Sequence, residues 1–82
     1  MSGEDRSARR EVRNPLLALP AMKAVLDLPA ESRLALVALL NDLSADAAAR
    51  ADKSWRTHKG PMASYWKAVS VYAKHLRAAV RP

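Results

Sequence analysis

The residues that could do chemistry gather at one point of the chain. Lys53, Trp55, Arg56, His58 and Lys59 run into Gly60-Pro61, and Tyr65, Trp66 and Lys67 follow closely. Cations interleaved with aromatic side chains suit a polyanion, because the cations hold phosphate and an accessible ring stacks on a base. A helix starting near Pro61 would turn free N–H groups toward Arg56 and Lys59, adding partial positive charge. A second set lies downstream. Lys67, Ser70, Lys74, Arg77 and Arg81 recur every three or four residues, which makes one ridge on a helix, and no acid interrupts them. The plainer reading of the same residues is a solvated ridge, with two tryptophans pinning a hairpin end. Trp66 shares an apolar stripe and is expected in the core. Trp55 is open to either role.

Other chemistries find little support. There is no Cys, hence no thiolate nucleophile, no disulfide and none of the usual structural zinc sets. The two histidines, His58 and His75, stand 17 residues apart, which is no metal-ligand spacing. Two glycines cannot build a phosphate-cradling loop. Asp46 and His75 are expected to meet across a hairpin, with Ser44 or Ser70 in the neighbourhood. Three small helices offer such a trio no concave site, so its expected role is to fix register. The expectation is therefore a non-catalytic protein with no cofactor and no metal.

Charge sharpens the binding reading. The 82 residues hold 14 Lys and Arg against 8 Asp and Glu, a net charge of +6. Residues 1–13 contribute +1, residues 14–49 contribute −2, and residues 50–82 contribute +7. The excess thus belongs to the C-terminal third. Arg56, Lys59, Lys67, Lys74, Arg77 and Arg81 are the candidate nucleic-acid contacts, with DNA the expected form. The apolar run Leu34 to Leu40, like every run without a polar residue in the sequence, is far too short to span a bilayer. The start, Met-Ser-Gly-Glu-Asp-Arg, lacks the apolar core of a signal peptide. A cytoplasmic protein with no membrane partner is expected.

The elements that must position these residues read as all-α. Residues 1–13 are charged and nearly free of large apolar side chains, which predicts a disordered arm ahead of a single helical domain over 14–82. Asn14-Pro15 is a cap followed by a first helical residue. It predicts a short turn over 15–19, and a short helix over about 20–27 follows. Pro29 opens the next element, which holds no Pro or Gly from Ala30 to Lys59. One long helix is expected there, with a break near Ser44 as its alternative. Gly60-Pro61 then predicts a left-handed cap at Gly60 and a new helix over 61–80. Met62, Tyr65, Trp66, Val69, Tyr72, Ala73, Leu76, Ala79 and Val80 give that helix its apolar stripe.

A tip at Gly60-Pro61 folds the two long helices into an antiparallel hairpin. It pairs Trp55 with Trp66, Arg50 with Val71 and Asp46 with His75. It also leaves Leu34, Leu36, Val37 and Leu40 beyond the reach of the last helix. These four are the candidate protein interface, and a homodimer is one way to cover them.

Two functions follow. The first is a small basic nucleic-acid-binding or nucleic-acid-associated regulator using the C-terminal third. The second is a protein-interaction module, such as an adaptor, inhibitor or antitoxin-like partner. It would dock an exposed helix face onto an acidic or apolar partner, using residues 34–40 and the small-residue strip Ser64, Ala68, Val71, His75 and Ala78.

Overall fold

Asn14 begins the part of the chain that the computed structural model describes, residues 14–82; the arm expected over 1–13 lies outside it. The Asn14 side chain accepts from the Leu16 N–H at 3.2 Å and caps a single 3-10 turn, Pro15–Ala18. Its amide nitrogen donates to the His75 carbonyl at 2.7 Å, tying this turn to the last helix. A one-turn helix, α1, spans Met22–Leu26. The long helix α2 spans Ala30–Arg56, with Glu31 in its first turn, where a carboxylate suits the helix dipole. The last helix, α3, spans Gly60–Val80 without interruption.

The fold is an all-α helical hairpin with a short N-terminal helix, and no strand occurs among the described residues. The break considered at Ser44 is absent. Ser44 is buried inside α2, and its hydroxyl donates back to the Asn41 carbonyl at 2.9 Å. That local bond satisfies the hydroxyl without opening the helix.

The tip differs from expectation. The long helix stops at Arg56, and Thr57, His58 and Lys59 form the connection. His58, with φ 61°, takes the left-handed position, and no described glycine has a positive φ. The Lys59 N–H donates to the Ser54 carbonyl at 2.8 Å and the His58 N–H to the Trp55 carbonyl at 3.2 Å. This pair of bonds is a Schellman closure, with His58 in the place usually held by glycine. Gly60 is instead the first residue of α3.

Moving the tip toward the N-terminus shifts the register by more than a helical turn. Arg50 lies over the Trp66 ring, 5.0 Å from its centroid, and not beside Val71. Asp46 bonds Arg50 on its own helix at 2.8 Å, so the expected Asp46–His75 meeting does not occur. The same shift lets α3 reach further back along α2. Arg33 donates from Nε to the Val80 carbonyl at 2.9 Å and from Nη2 to the Arg81 carbonyl at 2.7 Å. A guanidinium here satisfies carbonyls that have no partner within the helix and suits the negative end of the dipole.

This reach corrects the expectation that the 34–40 segment lies beyond the last helix, while the N-terminal residues cover part of it as well. Leu36, Val37 and Leu40 are half-buried against a cluster of Met22, Ala79 and Val80, which Leu16, Leu17 and Val25 also join. Leu34 and Leu39 remain out, 55% and 63% exposed.

Between the two long helices the contact is made by small side chains. Among the described residues the buried apolar set is Met22, Val80 and five alanines: Ala47, Ala51, Ala63, Ala73 and Ala79. Ser70 is buried with them, its hydroxyl donating to the Ser44 carbonyl at 3.0 Å. Small residues on both sides let the backbones approach closely. The face of α3 turned to α2 is therefore Ala63, Trp66, Ser70, Ala73 and Arg77. That set shares Trp66 and Ala73 with the expected apolar stripe but adds Ala63, Ser70 and Arg77 and leaves Met62, Tyr65 and Tyr72 exposed, so α3 is turned from the expected orientation by less than the 100° of one residue.

Candidate functional site

The rotation of α3 decides where its cations go. The ridge expected to face solvent does so at Lys67, Lys74 and Arg81, all exposed, while Ser70 is buried and Arg77 half-buried against α2. On that flank the two helices enclose an open groove of about 450 Å³. Ala48, Ala51, Asp52 and Trp55 line it from α2, three or four residues apart on one side of the helix. Ala63, Ser64, Lys67, Ser70, Val71 and Lys74 line it from α3. The floor is made of small side chains because the interhelical contact is, and the longer Trp55, Lys67 and Lys74 form the rim.

Trp55 is 71% exposed, the most exposed large apolar side chain among the described residues. An indole left this open forgoes most of the roughly 150–250 Å² of burial that a packed aromatic side chain provides. It also lines a shallower hollow with His58 and Gly60, so its ring stands between the groove and the tip. Trp66 behaves differently and is half-buried. The Arg50 guanidinium lies over its ring, and the Tyr65 ring meets it edge-on, with centroids 5.1 Å apart. The two indoles therefore have different neighbours, and the expected pairing of Trp55 with Trp66 is replaced by Arg50 over Trp66.

The six candidate nucleic-acid contacts do not share one environment. Lys67 and Lys74 border the groove, two turns apart and thus about 10 Å along α3. Neither makes an ion pair among the described residues. Arg56 is held by Asp52 at 3.2 Å, an exposed pair in which the groove's one carboxylate already has a cation. Lys59 is exposed at the tip, and its carbonyl accepts from the Ala63 N–H at 2.9 Å. Arg77 turns toward α2, where Nη1 donates to Asn41 Oδ1 at 2.6 Å and Nε is buried without a hydrogen-bond partner. Arg81 follows the end of α3, exposed, with its carbonyl engaged by Arg33.

Three contributors escape sequence reading. Arg33 and Asn41 are polar residues of α2 whose partners lie 36 or more positions away. Ala48 carries no chemistry of its own, and only the position of α3 makes it part of the groove floor. Ser64 and Val71, from the small-residue strip, line the groove; Ala68, His75 and Ala78 do not. His75 instead meets Tyr72 edge-on, with ring centroids 6.1 Å apart.

Among the described residues no group of three or more His, Cys, Asp or Glu is placed to hold a metal ion, and no helix is long and apolar enough to cross a membrane. Comparison with protein-family models, with curated proteins and with solved structures gives no match for this chain.

Proposed function

We propose that this chain is a non-catalytic nucleic-acid-binding protein of a regulatory kind, with the groove between α2 and α3 as its contact surface. One observation carries the reading. Trp55 stands exposed at the rim of a groove whose opposite wall presents Lys67 and Lys74, on a helix with no acidic residue. Lys67 and Lys74 hold phosphates of one strand. Their separation of about 10 Å matches roughly three phosphates at the 3.4 Å rise of a stacked strand. Trp55 stacks on a base, a contact that single-stranded nucleic acid offers and that tolerates any sequence. Arg56 and Lys59 add positive potential at the tip, and Arg77 and Arg81 extend it along the C-terminal end.

Binding of a labelled single-stranded oligonucleotide at two salt concentrations tests this. The unmodified chain binds more weakly as salt rises, and the double substitution Lys67→Glu and Lys74→Glu weakens binding strongly. An affinity that neither salt nor the double substitution changes would remove the proposal. An acidic peptide that displaces the oligonucleotide would identify the groove as a protein-docking site instead.

The interaction-module reading is favoured by a separate feature. Met62, Tyr65 and Tyr72 stand exposed on the side of α3 away from the groove.

A further inference from the structure

Folding leaves a second face of α3 bare. Met62, Tyr65 and Tyr72 are 47%, 57% and 54% exposed, and Val69 and Leu76 between and beyond them are half-buried. No charged side chain interrupts this series, because the cations of α3 all lie on other faces. We infer that a second copy of the chain covers it, forming a two-fold antiparallel pair of hairpins.

The pattern of the face itself selects a second copy. A two-fold interface is self-complementary: where residue i meets residue j, j meets i. The α3 series is centred on Val69, with Met62 seven residues before it and Leu76 seven after, and with Tyr65 and Tyr72 four before and three after. A two-fold axis crossing α3 at Val69 sets Met62 against the partner's Leu76, tyrosine against tyrosine and Val69 against its own copy.

The neighbouring strip of α2 has the same property in its charges. Asp42 and Asp46 come first, Arg50 and Lys53 follow, and all four are exposed. Reversing this strip against itself brings Asp42 to Lys53 and sets the Asp46–Arg50 pair, already joined within each copy, against its own reverse, acid facing base. Any parallel arrangement in register sets like charge on like, which costs affinity. The two centres also coincide in height. Arg50 lies over Trp66 and Ser70 bonds Ser44, so Val69 stands within one helical turn of the midpoint between Asp46 and Arg50. One axis therefore serves both helices.

The groove with Trp55 and Lys67 lies on the other flank of the hairpin, so the pair keeps both grooves accessible.

Sedimentation equilibrium of the full chain without nucleic acid tests the inference, and so separates it from the groove reading. A dimer is expected at tens of micromolar. Tyr65→Glu with Tyr72→Glu should give a monomer with unchanged helical circular dichroism. A second set of variants does not depend on the apolar face. Asp42→Lys with Asp46→Lys, and Arg50→Glu with Lys53→Glu, should each weaken self-association at least tenfold, and an equimolar mixture should restore dimerisation. Lys67→Glu should leave the dimer intact. A chain that stays monomeric at every concentration would overturn the inference, as would charge variants whose mixture does not recover.

Discussion

The hydroxyl of Ser70 donates to the main-chain carbonyl of Ser44 across the hairpin at 3.0 Å, and both residues are buried. A serine can make that bond only where the helix axes are close, and the alanines around it keep them close. The contact therefore tolerates little added volume. Ala47, 0% exposed, is its tightest point. Ala47→Leu should destabilise the chain by about 1–3 kcal/mol through overpacking. Ala49→Leu, two residues on, about 200° round the helix and exposed, should change stability by less than about 0.5 kcal/mol. Thermal unfolding of the two variants separates a close-packed seam from a merely apolar one.

The tip makes an opposite pair of predictions. His58 holds a left-handed conformation that costs a non-glycine residue roughly 1–2 kcal/mol. His58→Gly should therefore stabilise the chain by about 1 kcal/mol, even though glycine usually weakens helical segments. Gly60 has ordinary helical geometry, and a Cβ added there meets nothing within 4 Å. Gly60→Ala should be neutral or gain up to about 1 kcal/mol. Were Gly60 the left-handed residue, Gly60→Ala would be the damaging change, so denaturant midpoints decide between the two.

Arg33 closes the far end of the hairpin. Arg33→Met keeps most of the aliphatic stem and removes both bonds to the Val80 and Arg81 carbonyls. Hydrogen bonds from a charged donor contribute about 1.5–3 kcal/mol when sheltered, and one of these two is exposed, so a loss of about 1–2 kcal/mol is expected. Hydrogen exchange should show faster opening over the last turn of α3, with the turns beside Ser70 unchanged. Uniform acceleration along α3 would mean that the bonds stabilise the fold without closing its end.

Much of the fold is legible in the sequence, and what is not has a physical cause. Asn14-Pro15, Pro29 and Pro61 mark three element starts because proline fixes φ and lacks a donor, which leaves few structures open to the chain. The length of α2 is legible from its uninterrupted Ala and Leu content, although its end is not. A histidine in the left-handed position has no sequence signature, and a glycine two residues later draws the turn toward itself. The larger gap concerns which face of α3 meets α2. Periodicity locates the apolar stripe, of which Trp66, Ala73, Ala79 and Val80 do pack, but the packed face is turned toward Ala63, Ser70 and Arg77, because small residues and the Ser70–Ser44 bond allow closer approach there. Lys67 and Lys74 are legible as a pair on one ridge. That they border a groove with Trp55, while Arg77 turns inward to Asn41, depends on that rotation.

The groove reading predicts different results for its two kinds of contact. Trp55→Ala should weaken oligonucleotide binding by about 1–3 kcal/mol, the range for one stacked base, without altering the salt dependence. Lys67→Ala with Lys74→Ala should weaken binding and also lower the slope of log affinity against log salt by about 1.4, two phosphates on a single strand. Identical effects from the two changes would point to a general loss of fold.

The most direct test isolates the exposed indole. Trp66→Phe leaves Trp55 as the only tryptophan, and its emission can be followed while oligo(dT) is titrated into the full chain at low and at physiological salt. Saturable quenching, with an affinity that falls as salt rises, is the predicted result. Emission that stays unchanged while an independent label reports binding would place the nucleic acid elsewhere and contradict the account.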